Sequence, residues 1–430
     1  MDYKMEFTPE QLAILNGEKG ETMAKVMKTL VMYGEAFGAT KMVPVTSEKG
    51  HLVTSFGLGV MKPVYELMDK LIEGGAVSAQ KFSVDPRPLD KNVPSSFLKN
   101  FVFNKFMYNS QDAYDEQLKK LGLVDKNAYT CTCYLDEVGN KPAKGEILSW
   151  AESSAVVYAN SVIGARCNRN SGIIELFGSI VGFVPYFGLL TDEGRKATWI
   201  VEVKTTKKPE AQILGSAIGM KVMEDVPYVK GLTDWIGTEL DDDAKAYLKD
   251  FGAATASNGA VGLYHIAGLT PEAVELGESL IDENAQVYVI DDAELERVKA
   301  NYPVMWKDKN ATPKLCFVGC PHLTIAQLVE WTNNVSDGLK KNGLKEVSIP
   351  TVFTAAPGVI EKFNKEYSAE AKKLADTGIV LSYICPLMYM NNPLAKKMPV
   401  ITNSNKLRTY TTSRYYTSAE ILDIITKEAK

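Results

Sequence analysis

The hydrophobic positions of this chain alternate between two spacings from end to end. Segments with apolar residues at helical spacing separate seven short runs rich in β-branched and aromatic residues, which are predicted to be strands, at 41–45, 76–84, 198–203, 286–290, 314–318, 348–353 and 379–384. Helices are predicted to begin at Thr8-Pro9 and Thr270-Pro271, because a threonine N-cap followed by proline favours a helix start. Alternating helices and strands predict an α/β fold of packed layers.

The length of the chain, 430 residues, exceeds what a single hydrophobic core usually supports. We therefore expect two or three subdomains, divided within the polar stretches 204–210 and 307–312. The longest apolar stretch, 173–190, contains Glu175, Pro185 and several glycines, which favour a buried segment over a membrane span. No membrane contact is expected.

Charge and cysteine content narrow the class of protein further. The 48 basic and 53 acidic side chains form no basic stripe, so nucleic acid is not an expected partner. The chain starts without the basic and apolar segments of a secretion signal, and its six cysteines are too few for a disulfide scaffold. These features favour the reducing cytoplasm.

Three cysteines stand in unusual contexts. Cys131 follows Tyr129-Thr130, whereas Cys320 and Cys385 are each followed by proline at the end of a predicted strand, where the sites of open α/β sheets collect. If the fold brings them together, they supply three thiolates, enough to hold an iron–sulfur cluster while one iron keeps no protein ligand and acts as a Lewis acid. Burial in a core is the alternative. Cys316, inside its strand, is assigned to the core.

A polar stripe is predicted on a helix over 146–164, which Gly164 would end. Glu146, Ser153 and Asn160 are seven residues apart and would share one face. Such side chains need hydrogen-bond partners, and either a substrate or a neighbouring helix would supply them.

The loop after this predicted helix carries two arginines, Arg166 and Arg169. Their guanidinium groups could hold a carboxylate in a bidentate manner, and a solvated loop is the alternative. Two further segments are weaker candidates for a site: the Gly/Ser/Thr-rich stretch 49–57, which contains His51, and the proline-rigidified turn that begins at Asp85-Pro86.

Together these segments resemble the aconitase X family over the whole chain. The motifs that carry the resemblance are Thr130-Cys131-Thr132-Cys133-Tyr134-Leu135, Trp150-Ala151-Glu152-Ser153-Ser154-Ala155, Tyr158-Ala159-Asn160-Ser161-Val162-Ile163-Gly164-Ala165-Arg166, Gly268-Leu269-Thr270-Pro271-Glu272-Ala273, Gly319-Cys320-Pro321-His322 and Asn403-Ser404-Asn405-Lys406. The resemblance implies aconitase-like α/β/α layers from several subdomains around a central metal-binding cleft. It also implies a small swivelling domain, which we expect on a separate chain as a small subunit.

The resemblance implies a role for individual residues. Cysteines matching Cys131, Cys320 and Cys385 hold an iron–sulfur cluster, either 4Fe-4S or 2Fe-2S, or a mononuclear iron. The candidate catalytic residues are Lys406, His322 and Glu152. The candidate substrate-binding residues are Thr54, Ser55, Asp85, Pro86, Asn160, Ser161, Arg166, Ser404 and Lys406. Cys133 and Cys167 stand where proline and threonine are expected in the family.

Family members are metal-dependent hydro-lyases: bacterial forms dehydrate cis-3-hydroxy-L-proline and archaeal forms dehydrate phosphomevalonate. This chain has Asp85-Pro86 where archaeal members typically have Asn-Pro. A carboxylate suits a ring ammonium and repels a phosphorylated acid. We therefore expect dehydration of cis-3-hydroxy-L-proline to an enamine that tautomerises to 1-pyrroline-2-carboxylate. A phosphomevalonate dehydratase large subunit is the alternative, and a zinc or redox-sensing protein is the non-enzymatic one.

Overall fold

The computed structural model describes residues 3–93, 101–125, 127–391 and 393–428. The strands are β1 Met42–Pro44, β2 Lys49–Leu52, β3 Lys81–Val84, β4 Phe183–Pro185, β5 Ala197–Val203, β6 Pro227–Lys230, β7 His265–Ile266, β8 Ile281–Ile290, β9 Leu315–Leu323, β10 Thr351–Ala355, β11 Val380–Ser382, β12 Val400–Thr402 and β13 Arg414–Tyr415. The α-helices are Pro9–Leu15, Glu21–Ala36, Lys62–Glu73, Gln111–Leu121, Ser153–Tyr158, Gly172–Val181, Ala211–Val222, Thr233–Ile236, Asp242–Asn258, Pro271–Leu276, Asp292–Ala300, Ile325–Lys341, Pro357–Glu366, Ser368–Asp376, Pro386–Met390, Asn405–Tyr410 and Ser418–Ile425.

Two parallel sheets form the framework. Their strand orders are β7-β6-β5-β8 and β11-β10-β9-β12-β13. Parallel strands need helical crossovers that cover both faces of the sheet, and every residue of β9 and β10 is accordingly buried. Two smaller pairs, antiparallel β1–β4 and parallel β2–β3, belong to the first part of the chain. The predicted α/β class is confirmed.

All seven predicted strands form, with shifted ends. The run 76–84 is a strand only in β3, because residues 76–80 form an irregular connection from the turn that ends the helix Lys62–Glu73. β8 and β9 are longer than predicted, and β9 continues through Cys320 to Leu323. Both predicted helix starts form as well, although only Thr8 makes the capping box. The hydroxyl of Thr270 accepts a hydrogen bond from the backbone N–H of Ile266 (2.9 Å) instead.

The predicted helix over 146–164 is wrong in its first half. Residues 146–152 are extended, and Ile147 and Trp150 form isolated bridges to neighbouring backbone. Helix begins only at Ser153, continues as a π-helix and ends at Gly164 with a φ of 80°. Glu146 accepts a bond from a nearby backbone N–H outside the helix, so the predicted stripe does not exist. The backbone bridges outweigh the helical spacing of the apolar residues.

Most of the apolar stretch 173–190 is buried, as predicted, in the helix Gly172–Val181 and β4, whereas residues 186–189 beyond β4 are partly buried or exposed. Glu175 is wholly buried there and accepts hydrogen bonds from Ser149 Oγ (2.7 Å) and Asn170 Nδ2 (2.6 Å). Burial raises the pKa of Glu175 to about 8, because loss of water penalises the charged form more than the two hydrogen bonds favour it. None of the helices in the described ranges has the length and apolar character to cross a bilayer.

Three large hydrophobic cores lie under the first part of the chain, the four-stranded sheet and the five-stranded sheet. A smaller cluster joins the first part of the chain to the five-stranded sheet, where Phe103 and Tyr108 pack with Phe317, Met388 and Cys320. This cluster places the carboxyl end of β9 beside loops from the first part of the chain. Cys316 lies fully buried in the core of β9, as predicted.

Candidate active site

Cys320 lies near the end of β9, the central strand of the five-stranded sheet, where its register with β10 shifts. The preceding Gly319 has a φ of 107°, and a Cβ there would lie 2.4 Å from the carbonyl oxygen of Thr354. Only glycine fits such a backbone and such a close approach. The Cys320–Pro321 peptide is cis. The thiol of Cys320 lines a cavity at this point.

The other two cysteines reach the same cavity from distant parts of the chain. Cys385 is the N-cap residue of the helix Pro386–Met390, directly after β11. Cys131 lies in a loop beside β9, and its sulfur accepts a 3.4 Å hydrogen bond from the backbone N–H of His322. Burial raises the pKa of all three thiols. Cys385-Pro386 therefore follows a strand end, as the sequence predicts, whereas Cys320-Pro321 lies within the last residues of β9.

The cavity has a volume of about 330 Å³. It brings together eight of the residues predicted from the sequence: Cys131, Cys320, Cys385, Asp85, Pro86, Glu152, His322 and Lys406. Phe56, Leu387, Met388 and Tyr410 add an apolar and aromatic part to the lining. Within the described ranges, no three His, Cys, Asp or Glu side chains lie close enough together to enclose a single metal ion.

Glu152 and Lys406 form a buried ion pair in this cavity. Glu152 is also the N-cap of the helix Ser153–Tyr158, where it accepts hydrogen bonds from Ala155 N (2.7 Å) and Ser154 Oγ (2.5 Å). Burial works to raise the pKa of Glu152, but the ammonium and these hydrogen bonds hold it below its ordinary value. The negative charges around Lys406 raise the pKa of its ammonium against the effect of burial. Both groups are therefore charged.

Asp85 is the second carboxyl of the cavity, and it has no cation of its own. Its Oδ1 atom is buried without a hydrogen-bond partner in the described part of the chain, 3.8 Å from His51 Nε2, which also has none. Burial and the charge of Glu152 raise the pKa of Asp85 well above its ordinary value. Burial lowers the pKa of His51 to about 4, so its ring is neutral at pH 7.

His322 lines the cavity with both ring nitrogens already engaged. Nε2 lies 3.0 Å from the carbonyl oxygen of Ile384, an acceptor only, so Nε2 carries the proton. Nδ1 then accepts from the hydroxyl of Thr130 at 3.0 Å. Burial lowers the pKa of His322 to about 4, which keeps the ring neutral. The ring of His322, predicted as catalytic, is therefore hydrogen-bonded to the residue before Cys385 on one side and to the residue before Cys131 on the other.

Three predicted substrate contacts lie next to the cavity and not in its lining. The Thr54 hydroxyl hydrogen-bonds the hydroxyl of Tyr114 (2.5 Å), and Ser55 is buried beside it. Ser404 caps the helix Asn405–Tyr410. Burial raises the pKa of the Cys320 thiol, whereas the Lys406 charge and a hydrogen bond with Ser404 lower it.

Asn160 and Ser161, both predicted to contact substrate, instead join two parts of the chain. The Asn160 amide donates to the carbonyl oxygens of Cys167 and Gly262 (both 2.8 Å), and its oxygen accepts from Arg195. Ser161 Oγ accepts from the backbone N–H of Tyr264 (2.9 Å). Both side chains are buried outside the lining of the cavity. No pattern in the sequence predicted the π-helix that carries them.

Arg166 also points to partners outside the cavity. Its guanidinium donates to the carbonyl oxygen of Leu190 (2.8 Å) and pairs with Asp192 (2.5 Å). Conversely, Tyr410 lines the cavity one helical turn after Lys406 and was not predicted from the sequence. The four-residue spacing on the helix Asn405–Tyr410 is the signal that could have found it.

Comparison with known proteins identifies the family of this chain. Residues 4–193 match a family profile described as the first domain of aconitase X, and residues 197–300 match its second domain. The phosphomevalonate dehydratase large subunit of Thermococcus kodakarensis is 31% identical over 357 residues, 83% of this chain and 82% of that protein. The cis-3-hydroxy-L-proline dehydratase of Hypocrea jecorina is 29% identical over 340 residues, 75% of this chain and 52% of that protein.

A solved structure extends the likeness to the whole fold. The crystal structure of Thermococcus kodakaraensis aconitase X in its holo-form superposes with a TM-score of 0.78 and 27% identity, covering 98% of this chain and 100% of that one. The chain belongs to the aconitase X family and is a hydro-lyase.

Proposed function

We propose that this chain is the catalytic large component of a dehydratase for a small zwitterionic hydroxy acid, with cis-3-hydroxy-L-proline as the favoured substrate. Elimination of water from this acid gives an enamine, which tautomerises to 1-pyrroline-2-carboxylate. The observation that carries the choice of substrate is Asp85, a carboxyl that lines the cavity and has an oxygen without a partner.

The balance of charge in the cavity favours an amino acid. Among the described residues of the lining, Lys406 is the one basic side chain, and Glu152 already neutralises it. A ring ammonium opposite Asp85 would pair with the remaining carboxyl, whereas a phosphate dianion would meet no unpaired cation in this lining. An ammonium there would also lower the pKa of Asp85, which burial raises in the free protein, and so favour its ionised form.

Different side chains of the cavity have different roles in the proposed elimination. The reaction must remove a Cα proton and release the 3-hydroxyl group, and neither step is fast without help at neutral pH. Asp85 would hold the ring nitrogen, and the Glu152 carboxylate, fixed at the start of a helix, would hold the Lys406 ammonium in the cavity. Phe56, Leu387 and Met388 would exclude water from the reacting atoms.

The three thiols fit the cofactor that the family resemblance implies. Cys131, Cys320 and Cys385 all line one cavity, and thiolates are the ligands that iron–sulfur clusters take. Such a cluster extends over several atoms, so its ligands need not close around one ion. When bound, it supplies a Lewis acid that makes the hydroxyl group a better leaving group. All six cysteines are free thiols, which fits the reducing cytoplasm.

Phosphomevalonate dehydration is the second candidate, and the comparisons favour it. The phosphomevalonate dehydratase of Thermococcus kodakarensis matches over 82% of its length, whereas the hydroxyproline dehydratase of Hypocrea jecorina matches over 52%. The former is named a large subunit. We propose on this ground that the present chain also works with a separate small subunit, which carries the swivelling domain.

The test is an anaerobic dehydration assay. The chain, co-produced with its cognate small subunit and reconstituted with iron and sulfide, would be given cis-3-hydroxy-L-proline and phosphomevalonate in parallel. We expect a brown protein whose kcat/KM for cis-3-hydroxy-L-proline is at least tenfold higher than that for phosphomevalonate. Preference for phosphomevalonate would reject the substrate, and a colourless protein with stoichiometric zinc and no turnover would reject the enzymatic function.

A further inference from the structure

A buried histidine lies behind Asp85, on the side of this carboxyl that faces away from the cavity. His51 in β2 is paired with Ser83 in β3. Asp85 follows β3 and continues the pairing, because its backbone N–H donates to the carbonyl oxygen of Leu52 (3.3 Å). Ser83 and Asp85 are two positions apart and therefore share one face of the strand. The imidazole of His51 lies between them, with Nδ1 near Ser83 and Nε2 near Asp85.

The ring of His51 is fixed by its surroundings. It is wholly buried, and its backbone carbonyl accepts a hydrogen bond from the N–H of Ala151 (3.0 Å). The indole of Trp150 packs edge to face against the imidazole, with 5.8 Å between the ring centres. Burial lowers the pKa of His51 to about 4, so the ring is neutral at pH 7 and carries a single N–H proton.

Hydrogen bonds on the Ser83 side of the ring indicate which nitrogen carries this proton. The amide nitrogen of Asn140 donates to the carbonyl oxygen of Gly50 (2.8 Å) and to Ser83 Oγ (2.9 Å). Ser83 Oγ lies 2.9 Å from His51 Nδ1, and its hydroxyl has one proton of its own to donate. With that proton in the bond to Nδ1, the ring proton lies on Nε2, the nitrogen that faces Asp85.

The Nε2 atom of His51 and the Oδ1 atom of Asp85 have no other partner in the described part of the chain. Both are buried, so neither water nor a ligand reaches them, and they are 3.8 Å apart. This distance is too long for a hydrogen bond, but a shift of about 0.6 to 1 Å would bring it into the ordinary range. Because Oδ1 faces the histidine, Oδ2 is the oxygen that Asp85 can present to the cavity.

We propose that His51 is a positioning residue for Asp85, and that its Nε2–H donates to Oδ1 when the ammonium of the substrate binds at Oδ2. A buried carboxylate is unfavourable unless its oxygens accept hydrogen bonds. The histidine supplies a donor to the oxygen that the ligand cannot reach, and so favours the ionised form of Asp85 in the complex. The inference rests on the proposed function, because it requires a substrate with an ammonium group.

The experiment compares two replacements of His51. His51→Leu removes the donor, whereas the side-chain amide nitrogen of His51→Gln can take the place of Nε2. The reconstituted protein with its small subunit would be titrated anaerobically with L-proline and with (S)-tetrahydrofuran-2-carboxylate, in which oxygen replaces the ring ammonium. We expect His51→Leu to weaken L-proline binding about tenfold and to leave the oxygen analogue within about twofold, since only L-proline requires the ionised Asp85. His51→Gln should bind L-proline within about threefold of the parent.

Further variants separate this role from a general loss of packing. His265→Leu is the matched control, because Nε2 of this buried histidine donates to the carbonyl oxygen of Arg195 (2.8 Å) outside the cavity. It should bind L-proline as the parent does. In the Asp85→Asn background, His51→Leu should weaken L-proline by no more than about twofold, since the two residues act together. Ser83→Ala frees Nδ1 and should weaken L-proline binding by a smaller factor, which keeps the inference testable if His51→Leu does not fold.

The outcomes distinguish the inference from the proposed function. Unchanged L-proline binding in His51→Leu, or in Ser83→Ala if that variant alone folds, overturns the inference and leaves the proposed function standing. Tighter L-proline binding in His51→Leu also overturns it, because Nε2 would then accept a proton from a neutral Asp85. Equal weakening of both ligands, or equal weakening in His265→Leu, shows a structural effect and overturns it as well. A parent protein that dehydrates phosphomevalonate and binds no L-proline overturns the proposed substrate together with this role of His51.

Discussion

The substitution Asp85→Asn separates the two candidate substrates, because it removes a charge and keeps the shape of the side chain. The Asp85 side chain is only 13% exposed, so its contact with a ring ammonium would form largely out of water. A hydrogen bond between charged groups in such a place contributes about 1.5 to 3 kcal/mol. Because 1.4 kcal/mol corresponds to a tenfold change, kcat/KM for cis-3-hydroxy-L-proline should fall roughly ten- to a hundredfold or slightly more.

The same carboxyl gives the reaction a dependence on pH. Burial and the Glu152 charge raise the pKa of Asp85 in the free protein, so the neutral form is favoured there, while the ammonium of the substrate requires the ionised form. The kcat/KM of the parent protein should therefore rise with pH until Asp85 is ionised without substrate. In Asp85→Asn this rise should disappear.

The assay is the anaerobic initial rate with each acid for the parent, Asp85→Asn and the control Asp90→Asn. Asp90 accepts a hydrogen bond from Ser382 and does not line the cavity, so the control should leave both rates unchanged. Turnover of phosphomevalonate should be unaffected or faster in Asp85→Asn, since a like charge is removed. Equal losses for both acids, or none for the proline derivative, would refute the charge argument.

Three further predictions follow from the site and the core. Replacing any of the three cavity cysteines by serine should abolish most of the bound iron and sulfide, while Cys316→Ser, in the core of β9, should retain them. Lys406→Met should keep the iron but leave Glu152 as an unpaired buried charge, so we expect turnover to fall at least a hundredfold and urea unfolding to show a loss of roughly 3 kcal/mol. Because burial raises the pKa of Glu175 to about 8, the folded protein binds this proton more tightly than the unfolded chain, and its stability falls as pH rises from about 4.5 to 8. Glu175→Gln should not show this loss. In urea unfolding, the free energy of unfolding of the variant minus that of the parent should therefore increase by ~3 kcal/mol between pH 5.5 and 8.5. A difference that stays constant with pH would contradict the prediction.

The features of the fold that could be predicted from the sequence depend on residues that are close together in the chain. Proline and threonine act within one helical turn, so the helix starts at Thr8 and Thr270 could be found. Cys320 lies within the wholly buried strand β9 and Cys385 follows the partly buried strand β11, and the apolar runs of both strands could be recognised in the sequence. The strand ends moved, because pairing with a neighbouring strand continues beyond the residues with high strand propensity.

The features that could not be predicted depend on contacts between residues far apart in the sequence. The spacing of apolar residues over 146–164 fits a helix, but Trp150 pairs with backbone a hundred positions away. Arg166 and Arg169 look equivalent in the sequence, and only the position of Asp192 assigns the first to the surface. The Glu152–Lys406 pair spans 254 positions, so no local pattern could reveal it. Glu152 and Lys406 were predicted from the family resemblance alone, because each lies in a separate motif that can be recognised by itself.

The buried pair of Arg195 and Glu272 has a consequence for how the protein opens. Arg195 lies between the two matched domains, donates to Asn160 in the first and pairs with Glu272 in the second (2.7 and 2.8 Å). Separating the domains would break the hydrogen bonds of Arg195 to either Asn160 or Glu272, which link the two matched regions. The two domains should therefore lose their structure in one cooperative step, and thermal fluctuations that admit solvent should arise in the loops around the cavity and not at the joint between the domains.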